Sequence, residues 1–186
     1  DIDHFKKQIN FFVKKYGIIS NKNEIFNENK KILLTFDDGF KHHFKIAKFL
    51  KERKIIGVFF ICTKTLLKKN ILPVHKVHLI LSKINPHVAY NSLIEILKTD
   101  KIIFKKNNIS KFKNIYNKQN DVWFKKEFKK IINYFLDERV KNKILDKLIK
   151  KFKINIDVKN FYLNNEDLKK MQKLGMIIGS HGYSHN

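Results

Sequence analysis

Lys31-Ile-Leu-Leu-Thr-Phe36 is a short apolar run, Asp37-Asp-Gly39 supplies turn chemistry behind it, and Ile55-Ile-Gly-Val-Phe-Phe-Ile-Cys62 is a second continuous β-rich run. Each run fits a buried strand. Between them, from Phe40 to Lys54, the residues Phe40, Phe44, Ala47 and Leu50 share one face while lysines fill the other, which is the pattern of an amphipathic helix. Strand, helix and strand within about 30 residues make a βαβ unit, and that implies parallel strands joined by a right-handed crossover. The chain is therefore expected to be α/β.

Working outward, Asp3 to Tyr16 carries Phe5, Ile9, Phe12 and Tyr16 near helical spacing behind an acidic start, and a polar stretch from Asn21 to Lys30 reads as a loop. Beyond Thr63 the pattern becomes helical. Pro73 to Ser82, Ser92 to Lys98, Asp121 to Leu136 and Glu138 to Phe152 all read as helices, the third with Phe124, Phe128, Ile131 and Phe135 in register. No strand-like run of comparable quality interrupts them, so residues 63–157 are expected to be a helical insert within one domain spanning 1–186. Strand grammar returns at Asn164, a predicted N-cap with Asp167 at N3, heading a helix through Leu168, Met171 and Leu174 that Gly175 can end. Met176-Ile-Ile-Gly-Ser180 is then a third short strand, and it delivers His181-Gly-Tyr-Ser-His185.

The composition narrows the functional classes. With 43% hydrophobic residues the chain can bury a core, so disorder is excluded despite a net charge of +23. Cys62 is the single cysteine, which excludes an internal disulfide framework and any cysteine-rich zinc module. No apolar run approaches the roughly 20 residues that span a bilayer. Of 40 basic residues only Arg53 and Arg139 are arginine, whereas specific recognition of bases and phosphates leans on the bidentate guanidinium. No specific nucleic-acid partner is expected, and the 27 Ile and 20 Asn beside the lysines suit a compositional bias. A charge this size still steers anionic ligands.

The chemistry sits behind two of the strands. Asp37 and Asp38 follow the first, and His181 and His185 follow the third. In parallel α/β folds the carboxyl ends of the strands face one side, so these residues can converge although 143 positions separate Asp38 from His181. Two imidazoles and one carboxylate suit a catalytic zinc site, with three protein ligands and an open position. The second carboxylate is then free to accept a proton from an attacking water that the metal acidifies. Taken alone, Asp-Asp-Gly is an ordinary turn and a His-x-x-x-His spacing is common in a chain with eight histidines. Their shared placement after strands sets them apart.

These residues resemble a known family. Thr35-Phe-Asp-Asp-Gly39 resembles the first motif of the polysaccharide deacetylases (the NodB-homology domain, carbohydrate esterase family 4), and His181-Gly-Tyr-Ser-His185 is similar to their H-[S/T]-x-x-H motif. Gly57-Val-Phe-Phe-Ile61 resembles the family's second strand, and Phe161 to Ser180 resembles its approach to the histidines. The resemblance covers residues 31–62 and 161–186. It implies an irregular (β/α)7 barrel and a divalent metal, usually zinc, that removes N- or O-acetyl groups from a sugar. By the same resemblance Asp37 is the general base, and Asp38, His181 and His185 are the metal ligands. A bacterial surface polysaccharide or its precursor, such as a lipopolysaccharide sugar, is the implied substrate class.

The sequence departs from the family pattern in three respects. Gly182 stands where Ser or Thr is usual, the stretch between the motifs is much longer than in simple members, and the later motifs, with their general acid, would lie beyond Asn186. The chain therefore reads as the N-terminal part of such a protein. The alternative is an inactive deacetylase-fold module that binds carbohydrate or assembles with partners. His42, His75, His78 and Tyr183 are candidate substrate contacts, with His75 and His78 at i, i+3 on a predicted helix. His42 and His43 are expected to face solvent near the mouth of the site, and Trp123 to join the core of the insert, a sugar-stacking platform being the other reading.

Overall fold

The βαβ unit stands in the computed structural model of the chain, which describes residues 2–26, 30–68, 70–104 and 106–185. Helix α1 (Ile2–Tyr16) leads through a 3-10 turn (Lys22–Phe26) to β1 (Leu34–Phe36), α2 (His43–Glu52), β2 (Gly57–Ile61) and α3 (Thr63–Lys68). Helices α4 (Pro73–Lys83), α5 (Pro86–Thr99), α6 (Lys106–Lys111), α7 (Trp123–Lys130) and α8 (Glu138–Lys151) follow. A second 3-10 turn (Val158–Asn160) then precedes α9 (Asn165–Lys173) and β3 (Ile177–Ser180). The polar stretch expected as a loop thus holds a turn of helix, and its residues 27–29 lie outside the described residues.

The three strands form one parallel sheet in the order β1-β2-β3, with Phe36 paired to Phe59, Phe59 to Ile178, and Ile61 to Ser180. All three strands therefore end on the same edge. The first strand is shorter than its apolar run because Ile32 leaves the sheet to form a separate parallel bridge with Ile18. The chain divides into two compact units, one of Asp1–Asn70 with Asp157–Asn186, the other of Ile71–Ile156.

In the sheet unit the central strand buries Phe59 completely, stacked on Phe36 with ring centroids 4.7 Å apart. Leu50 of α2 and Met171 of α9 are equally buried, and each such side chain contributes roughly 1.5–3 kcal/mol of transfer free energy. Helix α9 starts as its sequence reads. The Asn164 side chain accepts from the Asp167 backbone N–H, and the Asp167 carboxylate accepts from the Asn164 N–H, a reciprocal cap. The same Asp167 carboxylate accepts from Lys41 Nζ at 2.5 Å, so the start of α9 is tied to the turn behind β1.

The helical unit has its own core. Leu93, Phe128, Ile132, Ile144, Leu145 and Leu148 are fully buried. The periodicity of Asp121 to Leu136 resolves into α7 followed by a π-type turn over Ile131–Phe135, which keeps Phe128, Ile131 and Phe135 inward. Lys76 is buried and its ammonium meets Asp146 at 2.6 Å. Trp123 departs from expectation. It opens α7 with 57% of its surface exposed and lies outside the core, because the buried stripe of α7 begins at Phe128.

Candidate metal centre

The site is built where the strands end. Asp37 and Asp38 follow β1, Cys62 follows β2 and His181 follows β3. The His181 backbone N–H donates to the Ile61 carbonyl, and the Thr63 and Lys64 N–H groups donate to the Gly182 and Tyr183 carbonyls at 3.1 and 2.9 Å. These bonds carry the β2–β3 pairing past the last strand residue and hold the histidine loop against the start of α3. On the other side, Phe40 pairs with Tyr162 in an antiparallel bridge, the Lys41 N–H donates to the Phe161 carbonyl, and the Leu163 N–H donates to the Gly39 carbonyl at 2.8 Å. The turn after β1 is thereby stitched to the segment that leads into α9 and β3.

Local backbone geometry aims the side chains. Asp38 is left-handed at φ 72°, a conformation that aspartate tolerates better than most residues, and Gly39 follows at φ 70°. A Cβ at Gly39 would stand 2.9 Å from the Ile61 side chain, so this turn requires glycine for space as well as for backbone. In the histidine loop Gly182 has φ 73°, where a serine or threonine would be strained although nothing crowds the position. Glycine is the residue this backbone favours. His185 is also left-handed, at φ 63°.

Asp38, His181 and His185 meet: one donor atom of each lies within 4.8 Å of the others, the only such group of three His, Cys, Asp or Glu among the described residues. His181 Nε2 is 3.6 Å and His185 Nε2 3.4 Å from Asp38 Oδ1. Those separations exceed the roughly 2.7–3.2 Å of an N–H···O hydrogen bond. They match the edge of a tetrahedron, about 3.3 Å when donors sit ~2.0–2.1 Å from its centre, as they do around zinc. The donor set and its spacing fit a divalent cation held by three protein ligands. Each of the three side chains keeps some exposure, 15% at Asp38 and 32% and 35% at the imidazoles, which leaves an open side toward solvent.

Cys62 is the residue that sequence reading passed over. Its buried Sγ lies 3.8 Å from Asp38 Oδ1 and 3.7 Å from the His181 carbonyl oxygen. Burial first, and the Asp38 charge second, push the thiol up to about 11, so at neutral pH it keeps its proton and can donate. Outer-sphere donors of this kind hold ligating carboxylates in orientation. The signal was available, since Cys62 occupies at β2 the strand-end position that Asp37 occupies at β1 and His181 at β3.

The other predicted residues divide. Asp37 is exposed beside Asp38 and outside the triad, near enough for its charge to act on the Cys62 thiol. Tyr183 is half exposed on the histidine loop, with Lys64 Nζ 5.9 Å from its ring centre. His42 is exposed and stacked on Phe40. His75 and His78 belong to the helical unit, His75 buried and His78 exposed on α4. The expectation for His43 is corrected. It is buried, ringed by Phe36, Phe40 and Phe59, and its Nδ1 has no hydrogen-bond partner among the described residues. It shares the inward face of α2 with Ala47 and Leu50, at i, i+4 and i+7.

Burial, with help from His42, pulls His43 down to about 4, against the opposing pull of Asp38. The imidazole is neutral when folded and takes a proton near its ordinary 6.5 when unfolded. Its contribution is complete above about pH 6.5 and is lost as pH falls from there toward 4, because the unfolded chain then binds the extra proton. Between pH 7 and pH 5 this costs about 2 kcal/mol. Urea unfolding should show that loss in the wild type and not in His43→Leu; equal pH slopes would refute it.

Family models, curated proteins and solved structures were all compared with the chain, and none matches.

Proposed function

We propose that the protein is a metal-dependent deacetylase of the polysaccharide deacetylase type, removing an N- or O-acetyl group from a sugar of a bacterial surface polysaccharide or its precursor. On this reading the three parallel strands belong to an irregular (β/α)7 barrel. What carries the proposal is the meeting of Asp38, His181 and His185 on one sheet edge, with a second carboxylate, Asp37, next to them and outside the set. The motif resemblance supplies the reaction.

Asp38, His181 and His185 would hold the cation, most simply zinc given two imidazoles and one carboxylate. When bound, it supplies positive charge that acidifies water and draws electrons from the acetyl carbonyl. Asp37 then takes the proton of the attacking water, whose oxygen bonds to the acetyl carbon. The bond from that carbon to the sugar nitrogen or oxygen then breaks as an acid outside these residues gives the leaving atom its proton, and acetate and the deacetylated sugar leave. The Cys62 thiol keeps the Asp38 carboxylate turned toward the imidazoles. Tyr183, exposed on the histidine loop, would meet the sugar at the rim.

The test is acetate release by the full-length protein, loaded with zinc, from N-acetylated and O-acetylated oligosaccharides, with a chelator as control. Metal-dependent acetate release is the expected result. Stoichiometric metal without acetate from any acetylated sugar would replace the enzyme with a binding module. Absence of both at saturating zinc would defeat the metal site as well.

A further inference from the structure

We propose that Trp123 is the stacking platform of a second carbohydrate site, on the helical unit, that takes a pyranose ring of an acidic oligosaccharide. The indole is 57% exposed yet braced, with Tyr90 at 5.3 Å and 66° and Phe124 at 5.1 Å and 84°, both edge-on. Tyr90 and Phe124 are themselves in contact at 5.7 Å, so three rings hold one another. A rigid aromatic surface offers contact area without the entropy cost of ordering it, and indole meets the C–H face of a sugar well.

The polar edge that a sugar needs is beside it. His87 packs on Phe124 at 4.4 Å, and its Nε2 lies 3.0 Å from the Asn91 Nδ2, one helical turn along α5. With the Asn91 amide donating, the His87 proton sits on Nδ1 and the Asn91 carbonyl oxygen is left as an acceptor. One donor and one acceptor thus flank the aromatic cluster, as the hydroxyl rim of a pyranose requires. The only acidic side chain in the turn before Trp123 is Asp121, and it is held between Lys125 and Lys129 at 2.7 Å each. Its charge is more than balanced, and Glu127, whose charge reaches Tyr90 from four residues beyond Trp123, is paired with Lys130, so the lysines around the rings outnumber the carboxylates and favour an anionic ligand. Val88 and Val122, the chain neighbours of His87 and Trp123, are exposed as well, but the amide and imidazole on the Phe124 side of the ring cluster favour a sugar over a lipid surface, which takes a band of inserting apolar side chains.

Trp123 is the chain's single tryptophan, so its emission reports this site alone. A hyaluronan octasaccharide, which alternates N-acetylated and carboxylated pyranoses, should shift or quench that emission saturably, with half-saturation at about 1 mM or tighter. Metal-stripped protein should give the same curve, so the outcome is independent of the deacetylase reading. By calorimetry Trp123→Ala should bind at least ~10-fold more weakly and Trp123→Phe should recover part of the affinity, while both keep the wild-type melting temperature. Uncharged chitin oligosaccharide should bind more weakly than the acidic one. The proposal is overturned by an unsaturable response, by polyglutamate or phosphatidylglycerol vesicles producing the same change, or by Trp123→Ala binding as the wild type does.

Discussion

Replacing His181 with alanine should abolish zinc binding. Wild-type protein, freed of metal and dialysed against zinc, is expected to retain one equivalent, and His181→Ala to retain less than about a tenth of that. The corresponding loss in affinity is at least ~100-fold, larger than the 10–100-fold that removing an outer-sphere partner costs, because a ligand is lost and only two donors remain. Those two, Asp38 Oδ1 and His185 Nε2, stand 3.4 Å apart and span a single edge of the site. Asp38→Asn should behave alike, since an amide oxygen carries no charge to offset the cation. His181 is partly exposed at the end of an edge strand and fills no part of the core, so the metal-free variant should unfold near the midpoint of the metal-free wild type. His78→Ala, exposed on the helical unit, is the control that should bind zinc normally. If His181→Ala and Asp38→Asn both bound zinc as tightly as the wild type, the triad would not be the metal site.

The βαβ unit, the helix cap at Asn164 and the three strand ends were legible because each rests on a local signal: continuous apolar runs, an Asn with Asp three residues on, and turn residues directly behind a strand. The convergence of Asp38 with His181 and His185 required only the rule that parallel strands end together. What escaped the sequence lies in how side chains are shared between faces. Behind the Asp-Asp-Gly turn His43 reads as solvent-facing, although its spacing to Ala47 and Leu50 puts it on the face of α2 that packs under Phe36 and Phe59. Trp123 carries a large apolar surface and so reads as core, but it is Phe124 that lies four residues before the buried Phe128, which leaves Trp123 off the inward stripe of α7. The tie between Lys41 and Asp167, 126 positions apart, has no local signature at all.

Asp37→Asn should separate binding a metal from using it. The two aspartates are neighbours in the chain and differ in what surrounds them. Asp38, left-handed at φ 72°, directs its carboxylate inward to both imidazoles and the Cys62 thiol, whereas Asp37 is exposed and outside the triad. Asparagine at 37 has the same shape, keeps the β1 turn and removes no ligand, so zinc affinity should stay within about threefold of the wild type. It cannot accept a proton. Loss of a positioned base typically removes 10²–10⁴-fold in rate, so kcat for acetate release should fall by about that factor while KM changes little, the sugar contacts being intact. Asp37→Glu, with its carboxylate displaced by one methylene, should recover only part of the rate, because proton transfer needs the acceptor within hydrogen-bond reach of the water. Wild-type turnover in Asp37→Asn would remove Asp37 from the reaction. A parallel fall in zinc content would instead make it a fourth ligand, and a site closed by four protein donors is a structural centre rather than a catalytic one.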